Sequence, residues 1–477
     1  MIKTRFAPSP TGEVHIGGAR TALFAYLFAK SQGGEFLLRI EDTDQARSVE
    51  GADKRIVESL KWLSIMPDNL DKIMYQSTRL EVYKKHAFDL VKAGKAYICT
   101  CSKERLTELR EKQEKTGQPP RYDSKCRTEK CGIENSTDFF KEMMENGYVV
   151  RMKMPRGRKI EFTDMIRGEV EFDADLIDDQ VIIKSDGFPT YHFAHVIDDH
   201  ETNITHVFRA EEWLSSTPKH IVLWEMFGWK APEYAHLSMI LPPDKKGKLS
   251  KRHGAVAVMD FGKAGYLPEA LVNFISFLGW NPKTEKEIYS MEELIADFKI
   301  ENVNKAPAIF NREKLDSVNE YYLREEIGQK PARIKRLLAE LEVKEVTAGE
   351  LNLLGRGGYK TLVEMVETLK NIRVLPDYEA GILVFKKSTK DASRKGLETA
   401  LAEFELIEEK EWTEQEIQMK LGLAVTRNEL TNGDLFWPVR VALSGQERSA
   451  SPVELALALG KVEVISRVKK AIGKLVS

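Results

Sequence analysis

The chain has 477 residues, with 72 Lys plus Arg against 74 Asp plus Glu and a formal net charge of -2. That balance excludes a histone-like basic protein but leaves room for one basic face that meets nucleic acid, and 31% charged with 42% apolar residues excludes a disordered chain. At roughly 150 residues per domain about three domains are expected; no apolar run approaches the roughly 18 residues of a membrane-crossing helix, no secretory h-region is visible in Met1–Pro8, and four cysteines are too few to staple such a chain, so a cytoplasmic protein is expected.

Lys3 to Ala7 reads as a strand that Pro8-Ser9-Pro10-Thr11-Gly12 breaks. From Gly17, Ala19, Leu23 and Leu27 recur at helical spacing until Gly33-Gly34, and Phe36 to Ile40 reads as a buried strand. Strand, crossover helix and strand begin a parallel sheet, whose ligands sit at the carboxyl ends of the strands, so Pro8–Gly18 and Glu41–Asp44 are expected side by side. From about Tyr83 to Phe193 the texture changes: all four cysteines, the polar stretch Lys103–Lys130 and alternating segments such as Tyr148–Met152 mark an insertion. The sheet is predicted to resume over Tyr191–Phe208. A Pro-Pro-Asp-Lys-Lys-Gly loop at 242–247 precedes a basic cluster, and beyond about Leu315 the chain is mostly amphipathic helix, as in Arg333–Leu341.

Two segments carry the chemistry. In Pro8–Gly18 a helix start offers unpaired N–H groups to a phosphate; Gly17 and Gly18 admit close approach of a nucleotide, and His15 can donate to a phosphate oxygen. An ordinary strand-to-helix turn is the bland alternative. In Lys248-Leu249-Ser250-Lys251-Arg252-His253, Lys251 can stabilise the charge that builds as pyrophosphate leaves, where the bland alternative is solvated surface.

Together these resemble the HIGH and KMSKS signatures of class I aminoacyl-tRNA synthetases, spelled here HIGG and KLSKR, and the whole chain resembles the bacterial glutamyl-tRNA synthetases. The likeness is carried by Arg5–Gly12, Leu38–Asp44, Asp186–His192, Arg209–Trp213 and Phe277–Pro282, and returns at Trp437–Gly445. It implies a multidomain protein: a Rossmann-like α/β catalytic domain with an α+β insertion, followed by an all-α anticodon-binding half. The expected divisions are the catalytic domain at 1–84 and 194–240, an acceptor-stem-binding insertion at 85–193, a stem-contact region at 241–318, and a helical anticodon-binding region at 319–477 with a break near 378.

The activity implied is a glutamate--tRNA ligase, which joins L-glutamate to ATP as an adenylate and then to tRNA-Glu, with Mg2+ on the triphosphate and the protein working as a monomer. The same likeness makes His15 and Lys251 the catalytic pair. Pro8, Thr11, Gly17, Gly18, Glu212, Trp213, Ile240, Lys248 and Arg252 would line ATP with them. A glutamate brings two carboxylates and one ammonium, so Arg5 and Arg209 would read its side chain with their planar forks. Glu41 would take the ammonium, and Ala7, Ser9 and Tyr191 would complete the pocket. His195 stands where relatives often carry Asn, and its protonation would add a pH dependence.

Cys99 and Cys101, followed by Cys126 and Cys131, have spacing that can close a tetrahedral zinc site, against the alternative of buried free thiols. Some glutamyl-tRNA synthetases carry a structural Zn2+ here with a Tyr four residues before the third Cys, and Tyr122 stands in that place, so Cys131 and Tyr122 are alternative fourth ligands. In the helical half, Arg440 beside Phe436 and Trp437 can contact tRNA or simply pack. Whether tRNA-Gln is charged as well is not decided by the residues around Gly355–Leu362.

Overall fold

The computed structural model describes residues 1–128, 138–245, 247, 249 and 256–476. Strand β1 (Lys3–Phe6), helix α1 (Ile16–Ser31) and strand β2 (Glu35–Ile40) form the expected parallel unit, with Lys3 opposite Glu35 and Phe6 opposite Leu38. Ala19, Leu23, Phe24 and Leu27 bury α1 against this sheet. Helix α2 (Ala52–Trp62) and short strand β3 (Met74–Tyr75), parallel to β2, follow, and then α3 (Leu80–Lys92).

The chain next leaves the parallel sheet. Strands β4 (Ala96–Cys99), β5 (Val149–Met152) and β8 (Val181–Ile183) make an antiparallel sheet, with helices α4 (Lys103–Lys115) and α5 (Phe139–Glu145) between the first two strands. Strands β6 (Lys159–Asp164) and β7 (Gly168–Asp173) form a hairpin. Helix α6 (Tyr191–Glu201), strand β9 (His206–Ala210), helix α7 (Thr217–Phe227) and strand β10 (Glu233–Leu237) then return to parallel pairing, in the order β7-β6-β10-β9. Strand β9 lies beside β1, tied by the Thr205 N–H to the Lys3 carbonyl at 2.9 Å.

One expectation is corrected here. Residues 191–201 are a helix, and the strand begins only at His206. Phe193, Ala194, Val196 and Ile197 are all buried; their three- and four-residue intervals are helical, and a short apolar run hides that period.

Strand β11 (Ile240–Leu241) pairs in parallel with β12 (Ala308–Ile309), with helices α8 (Val258–Lys263), α9 (Pro268–Ser276) and α10 (Met291–Asp297) between them. The remainder is helical: α11 (Arg312–Gln329), α12 (Pro331–Glu340), α13 (Ala348–Arg356), α14 (Leu362–Arg373), α15 (Lys390–Leu406), α16 (Glu414–Arg427), α17 (Asn432–Ser444), α18 (Pro452–Leu459) and α19 (Lys461–Val476). Capping boxes start α13 (Thr347 with Glu350), α17 (Thr431 with Asp434) and α18 (Ser451 with Glu454). Two compact units result, residues 1–262 with 271–312, and residues 263–270 with 313–477. The second has its own core around Leu397, Phe404, Leu421, Val439 and Val468. Among the described residues no helix is long and apolar enough to cross a membrane.

Candidate active site and metal centre

The loops after β1 and β2 meet as the parallel topology requires: the Glu41 N–H donates to the Pro8 carbonyl at 3.0 Å. With the ends of β9 and β10 they enclose a cavity of about 740 Å³. Arg5, Ala7, Pro8, Ser9, Thr11, His15, Gly17, Gly18, Glu41, Tyr191, Arg209, Glu212, Trp213 and Ile240 all line it. Of the remaining predicted site residues, His195 stacks behind Tyr191 at 4.6 Å between ring centroids. Lys248, Lys251 and Arg252 lie outside the described residues, as does Cys131. Leu249 and Val256, on either side of Lys251, line the cavity.

A buried charge network forms the floor. Arg5 donates through Nε and Nη2 to the two oxygens of Asp199 at 3.1 and 3.3 Å, and through Nη1 to the Phe208 carbonyl at 3.4 Å. A guanidinium has five N–H groups, so one remains on each terminal nitrogen, enough for a bidentate carboxylate. Arg39 joins Asp199 at 2.7 Å to Glu41 at 3.0 Å. Asp198, fully buried, accepts from Gln76, Arg79 and Tyr83. Burial opposes ionisation of Asp199, but Arg5 and Arg39 overcome it and hold its carboxyl well below the usual range. For Glu41 burial wins over Arg39 and Arg5, and its carboxyl is pushed up to about 7.

Arg209 has a different setting. Its Nε donates to His236 Nε2 at 3.0 Å, Nη1 to the Tyr191 hydroxyl at 3.3 Å, and Nη2 to Thr217 Oγ1 at 2.8 Å with His220 Nδ1 at 3.2 Å. These partners are neutral: burial holds His220 well below its ordinary value and lowers His236 too. Arg209 is thus a buried cation whose hydrogen-bond partners carry no opposing charge, and one Nη1 proton remains for a ligand. Beyond the partners named, Arg5 thus keeps two N–H groups and Arg209 one.

His195 donates from Nδ1 to the Tyr191 carbonyl at 2.9 Å, and its buried Nε2 has no hydrogen-bond partner. Burial keeps the ring well below its ordinary value, which argues against the pH dependence expected of His195.

At the other end of the cavity His15 caps α1, its Nδ1 accepting the Gly18 N–H at 3.1 Å. That bond places the proton of the neutral ring on Nε2, the donor form. A Cβ at Gly17 would stand 3.0 Å from the His15 ring, so a larger residue there would push the ring aside by a few tenths of an ångström. Ile16 N–H donates to the Val256 carbonyl and Val258 N–H to that of Val14, both at 2.9 Å, stitching the segment after the basic cluster onto the HIGG turn.

In the insertion, the sulfurs of Cys99, Cys101 and Cys126 lie within 4.8 Å of one another. The Cys101 and Cys126 sulfurs are 3.5 Å apart, and the Tyr122 hydroxyl is 3.4 Å from Cys99 and 3.7 Å from Cys101. Ligands on a tetrahedron with metal–sulfur bonds of about 2.3 Å stand about 3.8 Å apart, so the donor set fits zinc. Burial would raise the Cys126 thiol, yet hydrogen bonds with Tyr122 and Thr100 bring it to about 7, whereas burial pushes the neighbouring Cys101 thiol up to about 11. In the helical unit Trp437 is engaged structurally, its indole N–H donating to the Ile382 carbonyl at 2.9 Å.

Sequence reasoning missed Arg39, Asp198 and Asp199 as site residues. The signal was present: a cation inside Phe36–Ile40, and two adjacent acids closing the apolar run Phe193–Ile197, are costly unless they meet.

The family of tRNA synthetases class I (E and Q), catalytic domain, matches residues 1–317, and an anticodon binding domain matches 320–472. A glutamate--tRNA ligase of Alkaliphilus metalliredigens is 42% identical over 98% of this chain and 98% of its own. One from Dehalococcoides mccartyi is 42% identical over 99% of this chain and 98% of its own. The crystal structure of a glutamate tRNA ligase from Elizabethkingia meningosepticum, in complex with its amino acid, superposes with a TM-score of 0.84 at 36% identity, covering 99% of both chains. A cavity with paired guanidinium groups at the ends of parallel strands, a HIGG helix start and these full-length matches place the chain in the class I tRNA synthetase family, among the glutamate--tRNA ligases.

Proposed function

We infer that the protein activates L-glutamate with ATP and transfers it to the terminal adenosine of tRNA-Glu. The observation that carries this is the cavity's charge pattern: Arg5 and Arg209 with Glu41 complement a second carboxylate and an α-ammonium. Arg5 grips the side-chain carboxylate with two N–H groups and Arg209 adds a third. Glu41 takes the ammonium, while Ala7, Ser9 and Tyr191 close the pocket and His195 backs Tyr191.

The α-carboxylate attacks the α-phosphorus of ATP and pyrophosphate leaves; the 2′-hydroxyl of the terminal adenosine then attacks the activated carbonyl, releasing AMP. No protein nucleophile is needed, because positioning and charge stabilisation carry both steps. His15 donates from Nε2 to a phosphate oxygen, with Pro8, Thr11, Gly17 and Gly18 along the nucleotide and Glu212, Trp213 and Ile240 on its ribose and base side. Lys251, assisted by Lys248 and Arg252, meets the departing pyrophosphate; the cavity positions of Leu249 and Val256 support this reading. Mg2+ bound to the triphosphate neutralises part of its charge.

Cys99, Cys101 and Cys126, with Tyr122 or Cys131, hold a structural Zn2+. Residues 85–193 serve as the acceptor-stem-binding insertion and 319–477 as the anticodon-binding region, in a protein that acts as a monomer in the cytoplasm.

The test is glutamylation of tRNA-Glu and tRNA-Gln side by side with ATP and Mg2+. Charging of tRNA-Glu alone makes the enzyme discriminating, charging of both makes it non-discriminating, and charging of neither by folded protein overturns the reading. In the same assay Lys251→Ala lowers activation by orders of magnitude with an unchanged melting temperature; an unchanged rate refutes its assignment.

A further inference from the structure

Behind Arg209, on the side away from the cavity, stands a second layer of buried groups. His236 is fully buried and presents Nε2 to Arg209 Nε at 3.0 Å and Nδ1 to Asp164 Oδ2 at 2.6 Å. Asp164, 1% exposed, closes β6, and His236 lies on the neighbouring β10. Asp164 Oδ1 accepts the N–H groups of Ile166 and Arg167 at 3.0 and 2.8 Å, and Oδ2 accepts the His236 N–H at 3.2 Å as well as its ring.

This arrangement fixes the imidazole tautomer. Hydrogen bonds from His236 and from the Arg167 and Ile166 amides overcome the effect of burial and lower the Asp164 carboxyl, so it is an acceptor only. The proton of neutral His236 is therefore on Nδ1, and Nε2 offers its lone pair to Arg209. Thr217, whose hydroxyl donates to the Trp213 carbonyl at 3.1 Å, accepts from Arg209 Nη2 beside it. Whereas Asp199 pairs directly with Arg5, the Asp164 carboxylate stands one imidazole away from Arg209 and orients the cation without taking any of its terminal N–H groups.

We propose that Asp164 and His236 are positioning residues, a carboxylate–imidazole relay that aims Arg209 at the substrate's side-chain carboxylate and so sets the preference for glutamate over uncharged analogues. This rests on the reading of Arg209 given above.

Asp164→Asn tests it. The amide oxygen still serves the Ile166 and Arg167 N–H groups, but the NH2 no longer accepts the His236 backbone N–H, faces Nδ1 and drives the ring to the other tautomer, setting Nε2–H against Arg209 Nε–H. In steady-state glutamylation of tRNA-Glu, the KM for glutamate is expected to rise by about tenfold or more, with the KM for ATP within about twofold. The ratio of kcat/KM for glutamate to that for glutamine should fall, which a general loss of structure would not produce. An unchanged glutamate KM and an unchanged ratio in folded Asp164→Asn overturn the proposal.

If Asp164→Asn does not fold, His236→Gln and His236→Met decide. Gln can return an acceptor to Arg209 and should keep a lower glutamate KM than Met; equal values overturn the relay. Arg209→Lys separates the two layers of inference. If Lys leaves the glutamate KM unchanged, the reading of Arg209 fails and the relay with it. If Lys raises the KM while Asp164→Asn does not, the relay alone fails.

Discussion

Burial holds the Glu41 carboxyl up at about 7, even with Arg39 at 3.0 Å. In the proposed pocket only its ionised form would attract the α-ammonium, so glutamate binding is expected to weaken as pH falls through that value. His192, pushed down to about 4 by burial, and His195 and His220, held well below the ordinary value by the same cause, favour the neutral form across this range. The KM for glutamate is therefore expected to rise by up to about tenfold per unit below about pH 7. Glu41→Gln should have a high and pH-independent KM; a wild-type KM that is flat between about pH 6 and about pH 8 contradicts the assignment. The same shift bears on the ligand-free protein. A carboxyl raised from 4.5 in the unfolded chain to about 7 in the fold contributes stability that is complete below 4.5 and is lost as pH rises through about 7. Stabilisation by added glutamate, read as a rise in melting temperature, should accordingly be greater at about pH 8 than at about pH 6.

Helix α15 approaches the start of α17 so closely that a Cβ at Gly396 would stand 1.9 Å from the Asp434 carbonyl oxygen and 2.8 Å from its carbon. Backbone cannot turn aside as a side chain can. Gly396→Ala should destabilise the helical unit by about 1–3 kcal/mol despite the better helix propensity of alanine, seen as a lower melting temperature; a more stable variant refutes the packing. Such contacts also show why only some elements were legible in the sequence. The β1–α1–β2 unit and α12 announced themselves by local period and by Gly and Pro punctuation. In α6 the period is there, but the short apolar run Phe193–Ile197 within its eleven residues reads as strand. The site was legible where a motif is contiguous, as at Pro8–Gly18, and illegible where meaning depends on a distant partner. Asp199 lies 160 positions from Arg39, and His236 lies 72 from Asp164. A charge set in an apolar segment signals that a partner is needed, but no local pattern says which residue supplies it.

At the scale of the whole chain, a net charge of -2 must be reconciled with a polyanionic partner. Binding then depends on local cationic patches, and the KM for tRNA should climb steeply with added KCl while that for glutamate changes little. A salt-insensitive KM for tRNA would count against phosphate contacts as the main source of affinity. Metal analysis should return about one zinc per chain, and chelation should lower the melting temperature while unfolding the Cys99–Cys126 segment first, as hydrogen exchange can report; a metal-free protein with the same melting curve refutes the zinc site. The Asp199 pairing has a further consequence in the order of synthesis. Arg5 and Arg39 leave the ribosome long before the carboxylate they share, since Asp199 follows them by 194 and 160 positions. A nascent chain that ends before α6 would have to bury two cations with Glu41 alone between them, which is costly. The floor of the pocket is therefore expected to close only once Asp199 has been translated, which limited proteolysis of ribosome-bound chains ending before and after residue 199 checks: equal protection of the two contradicts it.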